Sequence, residues 1–180
     1  MKEFSMFEYA LAVAGDATAE LGDVTHVSRR DFCERDTFRF RARVPSMEYA
    51  SLLIENELLL RTKRDGRIYA FFQRLSRMEP VVARYMRIAD LSERVYVFGE
   101  PDWTPPRHPN MKVIELARGC ALTREWIVIA DSPTMHVALV GLDEEGFDVE
   151  DLEARYFSAF KTSDPAHVKH LVTAADKLIS

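Results

Sequence analysis

The chain has 180 residues, 47% of them apolar, and a formal net charge of −5 at pH 7. This length and composition predict one globular domain with a sizeable core, and the 7 glycines and 8 prolines exclude a disordered or fibrous protein. Basic side chains are in excess only in residues 29–94, with 15 basic against 10 acidic groups. We therefore expect no extended nucleic-acid surface, whereas a small anionic ligand is compatible with this distribution.

Cysteine usage and the N-terminal segment bear on the compartment. Cys33 and Cys120 have no second cysteine or histidine at metal-ligand spacing, which is typical of a reducing compartment and predicts no structural zinc. Glu3 and Glu8 interrupt the apolar start, so it does not resemble a secretion signal. No segment has the ~18 unbroken apolar residues of a membrane span. We expect a cytoplasmic protein without a membrane-embedded segment.

Two helices are predicted in the first third of the chain. Apolar residues recur at helical spacing over residues 4–21, and Gly22 is expected to end that helix. Ser46 is expected to cap a second helix, which runs to about residue 62.

The strand predicted between these helices has a basic face. The segment "TFRFRARV" alternates apolar and basic residues, so Arg39, Arg41 and Arg43 share the solvent side of a half-buried strand. That row could bind an anion or an acidic partner. Alternatively, it protects an edge strand from pairing with another chain.

The middle of the chain predicts five further strands. They are mostly apolar on both faces, which is typical of interior strands in a covered sheet. Pro80 is expected in the first turn of the helix after the first of these strands, and the turn at 131–133 predicts a hairpin of the last two. The five runs are "RIYAFFQ", "RVYVFG", "MKVIELA", "REWIVIAD" and "HVALVGLD".

Two C-terminal helices are predicted within residues 148–180. Asp148 would cap the first, and Asp164 with Pro165 would begin the second, amphipathic one, which could pack on its own sheet or on a second copy in a homodimer. Together with the N-terminal helix and strand of residues 1–45, these elements predict an α/β single domain. We expect a mixed sheet of five to six strands with helices on both faces, in three layers.

Motifs for most enzyme classes are missing from the sequence. It has no glycine-rich phosphate loop, no zinc-protease motif and no nucleophile elbow, so no catalytic residues are predicted, and the sequence leaves the cofactor unknown. The acidic segment "LDEEGFDVEDLE" misses the calcium-loop spacing, and His167 and His170 lack a further ligand nearby in sequence. No metal site is predicted.

The strongest positive signal is the polar end of the strand "RIYAFFQ". Ligands of open α/β sheets bind beyond the carboxyl ends of parallel strands, where Gln73, Arg74, Ser76 and Arg77 would lie. Arginine can hold a carboxylate or phosphate with two hydrogen bonds. Alternatively, these side chains satisfy loop backbone groups and pair with Asp102 or Glu125.

Several motifs in order resemble the DICT sensory domain, over residues 46–143. The matching segments are "FFQRLSRMEPVVARYMRIADLSERVYVFGEPD" and "TREWIVIADSP", and "MEYASLLIENELLL" resembles the helix that precedes the FQR motif of the family. The resemblance implies a prokaryotic signal-input module of the kind found with diguanylate cyclases, two-component kinases or transcription regulators, with a link to light or related environmental responses. It does not imply catalysis or a particular ligand.

A sensing site and a partner follow as expectations. The ligand-binding or signalling residues are expected to be Gln73, Arg74, Ser76, Arg77, Tyr85, Asp102, Glu125 and Trp126. Nothing in the chain resembles a kinase, a cyclase or a helix-turn-helix output, so the partner would be a separate signalling protein. Two alternatives stay open: a ligand-free interaction or scaffold domain, and, less favoured by the sequence, an enzyme that uses Arg, Glu and Tyr groups of the same crevice.

Overall fold

A computed structural model describes residues 3–24 and 28–180 of the protein. Within these ranges one mixed sheet of eight strands is covered by five α-helices. The strands are β1 (Ala19–Asp23), β2 (Thr37–Arg43), β3 (Arg67–Arg74), β4 (Arg94–Glu100), β5 (Met111–Glu115), β6 (Glu125–Asp131), β7 (His136–Asp143) and β8 (Tyr156–Thr162). The helices are α1 (Met6–Ala14), α2 (Arg29–Glu34), α3 (Val44–Leu59), α4 (Val82–Asp90) and α5 (Pro165–Ile179).

The sheet has the strand order β1-β2-β8-β7-β6-β3-β4-β5. Strands β3, β4 and β5 are parallel to one another and β1 is parallel to β2, whereas the other neighbours are antiparallel. One core lies under α3 and α4, and a second lies on the opposite face under α1 and α5. The predicted α/β three-layer class is confirmed. The strand number is wrong, because β1 and β8 add two strands to the six predicted runs.

The first helix is shorter than predicted. It ends at Ala14 because Gly15 adopts a φ of 53°, a left-handed conformation that glycine accepts without a steric penalty. The chain then turns into β1, which pairs with β2 at the edge of the sheet. Gly22, the predicted end of the helix, lies within this strand.

The helix predicted after Asp148 is a strand. Residues 156–162 form β8, in which every residue is paired with β2, and Phe157 and Phe160 enter the two different cores. Local spacing favoured a helix, but the strand fills the gap between β2 and β7 and satisfies its backbone groups on both sides. Tertiary pairing therefore overrode local propensity here.

The arginine row of β2 does not protect an edge, because β2 pairs on both sides. Arg39 lies 3.7 Å from Glu20, and Arg41 is paired with both Asp23 and Glu144. The Arg41 guanidinium also stacks over Tyr156 at 3.7 Å. The edge-strand interpretation is wrong, and the edges are β1 and β5, the latter predicted as an interior strand.

Helices α3, α4 and α5 largely follow the predictions. Helix α3 begins at Val44 rather than at a cap formed by Ser46, with Pro45 in its first turn. Pro80 lies in a 3-10 segment, Leu75–Val81, that leads into α4. The carboxylate of Asp164 caps α5 as predicted.

Helix α5 buries its apolar side on its own sheet, so that side is not free to contact a second copy. Val168, Leu171 and Val172 are buried in the core that this helix shares with α1. The Tyr69 hydroxyl donates a 2.6 Å hydrogen bond to Asp176 on the same helix. None of the helices in residues 3–24 and 28–180 is long and apolar enough to cross a bilayer.

Candidate functional site

A cavity of about 490 Å³ lies between the sheet and the helices of one face; we call it the α3–α4 cavity. It opens beside the carboxyl end of β3, which runs parallel to β4. Its walls are mostly apolar, with side chains such as Leu52, Phe72, Val81 and Val128. Four of the eight predicted site residues line it: Gln73, Arg77, Tyr85 and Trp126.

A buried ion pair forms one wall of this cavity. Arg84 donates a 2.7 Å hydrogen bond to the Glu55 carboxylate, and only 5% of the Glu55 side chain is exposed. Burial raises the pKa of Glu55, and the interactions with Tyr85 and Arg84 offset that rise only in part. The pair therefore places a carboxyl group and a guanidinium group, both largely removed from water, beside apolar side chains.

Tyr85 brings a buried hydroxyl to the same wall. The side chain is fully buried, and its ring packs edge-on against Phe72 at 5.2 Å. Burial and then the nearby Glu55 carboxylate hold the pKa of Tyr85 well above its usual value, so the hydroxyl keeps its proton. The hydroxyl lies beside the Glu55 carboxylate, and this interaction lowers the pKa of Glu55.

Charged residues at the mouth of the cavity pair with each other. Arg77 lies 3.5 Å from Glu153, which comes from the short 3-10 turn Leu152–Ala154. Glu48 lies at the same mouth, and its pKa is raised by burial and by the Glu153 charge. Counting Glu55 and Arg84, three carboxyl groups face two guanidinium groups across the lining. Both guanidinium groups already have a carboxylate partner.

Trp126 is held rigidly at the wall that β6 provides. Its indole N–H donates a 2.9 Å hydrogen bond to the Ser51 hydroxyl on α3. Its ring packs edge-on against Phe157 at 5.6 Å. The indole therefore connects the sheet to α3 and presents a fixed aromatic surface to the cavity.

Gln73 connects the cavity to a buried polar cluster. Its φ of 67° is left-handed, and the register of β3 against β4 is irregular between Phe71 and Arg74. This conformation turns the side chain toward β7, where the amide nitrogen donates a 3.0 Å hydrogen bond to Asp143. Among the described residues, Gln73 is the one residue other than glycine with a positive φ. Such strain persists where neighbouring contacts hold it in place, frequently at functional sites.

The Asp143 carboxylate organises the turn that follows β7. It accepts a 2.6 Å hydrogen bond from Arg155, and its other oxygen accepts from the backbone N–H groups of Glu145 and Gly146. Burial alone would raise the pKa of Asp143, but the hydrogen bonds from Gly146, Gln73 and Glu145, with the Arg155 charge, lower it. The pair of Asp143 and Arg155 is almost completely buried.

Arg74 lies outside the cavity, on the turn that Asp143 organises. Its guanidinium stacks over the Phe147 ring at 4.0 Å, and Arg155 approaches the same ring at 4.5 Å. Phe147 thus lies between a surface arginine and a buried one. We call residues 143–147 together with Arg74 the turn surface.

Ser76 and Asp102 form a structural latch rather than part of the cavity. The Asp102 carboxylate accepts hydrogen bonds from the Ser76 backbone N–H (2.9 Å) and hydroxyl (2.5 Å), which caps the 3-10 segment after β3. Gly99 allows this approach, because a Cβ there would lie 2.8 Å from the backbone nitrogen of Leu75. The alternative that polar side chains pair with Asp102 is confirmed for Ser76.

Glu125 lies on the opposite face of the sheet from the cavity. Successive residues of a strand point to opposite faces, so Glu125 faces α1 whereas Trp126 faces α3. Its carboxylate accepts hydrogen bonds from the Phe7 and Met6 backbone N–H groups at the start of α1. Burial nevertheless raises the pKa of Glu125 to about 7. Its expected place beside Gln73, Arg74 and Arg77 is therefore wrong.

Sequence reasoning missed four polar residues of the site and its support: Glu55, Arg84, Asp143 and Arg155. A signal existed only for Glu55, which lies on the buried stripe of α3 with Met47, Ser51 and Leu58. Arg155 and Asp143 are brought together by the pairing of β7 with β8, which local spacing does not reveal. No group of three or more His, Cys, Asp or Glu side chains suited to a metal ion occurs in the described ranges.

The fold and the site together define an α/β domain with a ligand-sized cavity beside the carboxyl end of a parallel strand. The chain belongs to the DICT family: the family model, described as a sensory domain in diguanylate cyclases and two-component systems, matches residues 46–143. The family occurs with signalling proteins, and this membership confirms the resemblance seen in the sequence.

Curated proteins and solved structures provide two further comparisons. A search of curated proteins finds no match. Among solved structures, a polyphosphate kinase from Porphyromonas gingivalis is similar with a TM-score of 0.48 and 18% identity, over 79% of this chain and 23% of the kinase chain. The chain therefore spans less than a quarter of that protein, and similarity at this level carries no information on function.

Proposed function

We propose that the protein is a non-enzymatic sensory module that binds a small molecule in the α3–α4 cavity and relays its occupancy to a separate signalling protein. Membership of a sensory family supports the class of function. The observation that carries the ligand-binding part is the cavity itself, about 490 Å³, whose mostly apolar walls also include Gln73, Tyr85 and two arginine–carboxylate pairs. Small-molecule sites typically have volumes of about 300–1,000 Å³ and this kind of lining.

The relay would begin at Gln73. This residue lines the cavity and also donates to Asp143, so a ligand that displaces its side chain would remove one hydrogen bond from a buried carboxylate. Because that carboxylate holds the Glu145 and Gly146 amides, the change would reach the turn surface directly. A strained residue between two sites suits a two-state element, since a ligand need stabilise only one of its conformations.

The partner would contact the turn surface. Arg74 and Phe147 are both partly exposed, and their stacking depends on the turn that Asp143 holds. Arg155 supports Phe147 from below while it pairs with Asp143. Arginine next to an aromatic ring is a frequent combination in protein interfaces.

The first experiment is native mass spectrometry of the protein purified gently from its own host. Leu52→Trp would fill the cavity, since Leu52 lines it and lies outside the two main packing clusters. Leu60→Trp is the matched control, because Leu60 lies at the end of the same helix and is 81% exposed. We expect additional mass, lost on denaturation, in the wild type and in the Leu60→Trp protein but not in the Leu52→Trp protein.

Other results would favour other functions. Equal ligand content in Leu52→Trp would place the ligand outside the cavity. Bare polypeptide in all three proteins, with a partner captured in a concentration-dependent manner, would support the ligand-free interaction domain instead. Turnover of a substrate that one side-chain change abolishes would support an enzyme.

A further inference from the structure

The lining of the α3–α4 cavity also restricts the charge and the shape of its ligand. Resting on the proposed function, we infer that the cavity takes an organic cation, a flat and largely apolar ring system with one amino group, which lies at the mouth beside Glu48. Two separate features of the lining carry this inference: its aromatic side chains and its one carboxyl group in excess of the guanidinium groups.

Aromatic side chains line the cavity on the sheet side and at the mouth. Phe72 on β3 and Trp126 on β6 belong to the sheet side, and Tyr49 on α3, which is 36% exposed, lies at the mouth. Edge-on packing on Phe157 and a hydrogen bond to Ser51 hold the Trp126 ring in place. Rings of this kind offer flat surfaces to apolar molecules, and their faces also attract a positive charge. The volume of about 490 Å³ exceeds the roughly 150 Å³ that accommodates a benzene ring, so a fused ring system with an amino group fits.

The charged groups of the lining leave one carboxylate in excess. Arg84 lies 2.7 Å from Glu55, and Arg77 lies 3.5 Å from Glu153. Glu48 is the remaining charged residue of the lining, and it forms no ion pair within residues 3–24 and 28–180. An anionic ligand would therefore break an existing pair to reach a guanidinium group, whereas a cationic ligand meets a carboxylate that has no cation of its own.

Glu48 lies where a positive charge would be stabilised. It is exposed to solvent at the mouth and is the neighbour of Tyr49 on α3. Burial and then the Glu153 charge raise the pKa of Glu48, and the Arg77 charge offsets that rise only in part. Arg77 also holds the Glu153 carboxylate at the mouth, where an ammonium group between the two carboxylates would reduce their repulsion. The aromatic rings around this position favour an organic ammonium over a metal ion, which would need several oxygen ligands.

The test uses three probes that share one ring system and differ at one carbon: 2-aminoindane, 2-indanol and indane-2-carboxylate. At neutral pH they are positive, uncharged and negative, respectively. The chain has two tryptophans, Trp103 and Trp126, so a spectrum of ¹⁵N-labelled Trp103→Phe identifies the indole resonance of Trp126. The shift of that resonance during a titration gives the affinity of each probe at the cavity wall.

Two substitutions separate the excess carboxylate from surface charge in general. Glu48→Gln removes the negative charge and keeps the size of the side chain. Glu79→Gln is the matched control, because Glu79 is also exposed and lies in the 3-10 segment Leu75–Val81 but not in the lining of the cavity. Both side chains are exposed, so neither substitution removes buried packing.

We expect 2-aminoindane to bind about 3- to 10-fold more tightly than 2-indanol, because its ammonium group contacts aromatic rings and an exposed carboxylate. This preference should fall by about 2- to 5-fold in Glu48→Gln and keep its wild-type value in Glu79→Gln. Indane-2-carboxylate should bind at least about 10-fold more weakly than 2-aminoindane. Leu52→Trp should abolish binding of all three probes.

Three results would overturn the inference. They are tightest binding of 2-indanol or indane-2-carboxylate, an ammonium preference that is the same in Glu48→Gln and Glu79→Gln, and three probes that all leave the Trp126 resonance unmoved. The first two, with binding still lost in Leu52→Trp, would leave the cavity as a ligand site and reject only the cationic class of ligand. Failure of the proposed function is seen separately, as equal ligand content of Leu52→Trp and wild type in the native mass spectra.

Discussion

The side-chain amide of Gln73 donates a 3.0 Å hydrogen bond to the buried carboxylate of Asp143, across 70 positions of sequence. The bond depends on the left-handed backbone of Gln73, because an ordinary extended residue would continue β3 without this irregularity. Because Gln73 lines the cavity, this bond links the cavity wall to the carboxylate that holds the turn surface. Backbone strain and side-chain bonding at this residue can be separated by substitution.

Replacement of Gln73 by Ala and by Gly should separate these two contributions. Both variants lose the hydrogen bond to Asp143, at a cost of about 1–3 kcal/mol in the free energy of unfolding. Gly accepts a φ of 67° without strain, so Gln73→Gly should be about 1 kcal/mol more stable than Gln73→Ala. Urea unfolding measures both. Equal stability of the two variants, or a less stable Gly variant, would mean that the left-handed backbone stores no strain.

Arg77→Ala and Arg74→Ala should affect different steps of the proposed relay. Arg77 lines the cavity, whereas Arg74 stacks on Phe147 outside it. We expect Arg77→Ala to reduce ligand content in native mass spectra. Arg74→Ala should retain the ligand and weaken partner capture. If both variants keep ligand content and partner binding unchanged while they remain folded, neither arginine belongs to the sensing or signalling site.

The latch between Ser76 and Asp102 predicts a stability effect without a ligand effect. Asp102→Ala removes both acceptors and leaves the Ser76 backbone N–H uncapped, whereas Ser76→Ala removes only the hydroxyl bond. We expect Asp102→Ala to lower the free energy of unfolding by about 1–2 kcal/mol and Ser76→Ala by less. Calorimetric melting together with native mass spectra checks this. Loss of ligand in a folded Asp102→Ala protein would restore the role that the sequence suggested for Asp102.

Glu125 predicts a pH dependence of stability in the neutral range. Burial raises the pKa of Glu125 to about 7, above its value in the unfolded chain, despite the hydrogen bonds from Phe7 and Met6. The native state therefore binds more protons than the unfolded state between pH about 4.5 and about 7. The free energy of unfolding falls as the pH rises through this window, and the contribution of Glu125 is fully present only below it.

Glu125→Gln removes this titration. Its free energy of unfolding should depend less on pH between 4.5 and 7 than that of the wild type, with a difference that reaches about 3 kcal/mol at most. Glu115→Gln, at an exposed position of β5, serves as the control and should keep the wild-type slope. Urea unfolding at several pH values provides the measurement. An unchanged slope in Glu125→Gln would show that Glu125 keeps an ordinary pKa in the folded protein.

The sequence by itself determined the elements whose signals are local. The alternation in "TFRFRARV", the apolar runs of β3, β6 and β7, and the Asp164–Pro165 start of α5 each lie within a few consecutive residues. They therefore predicted the layered α/β class and a strand that ends at Gln73, whereas the family followed from the resemblance of the motifs within residues 46–143. Three of the four predicted site residues that line the cavity, Gln73, Tyr85 and Trp126, lie on a strand or helix that was correctly assigned, whereas Arg77 lies in the 3-10 segment Leu75–Val81.

Only the tertiary structure decided which polar groups meet. Strand β8 forms because β2 and β7 offer it backbone partners on both sides, and this pairing brings Arg155 to Asp143. The packing of α3 against α4 joins Glu55 to Arg84, and the alternation of β6 places Glu125 and Trp126 on opposite faces of the sheet. These contacts join residues that are far apart in sequence, and their free energy depends on how deeply the polar groups are buried and on how the bonded residues are positioned. The local periodicity of the sequence gives information on neither burial nor position.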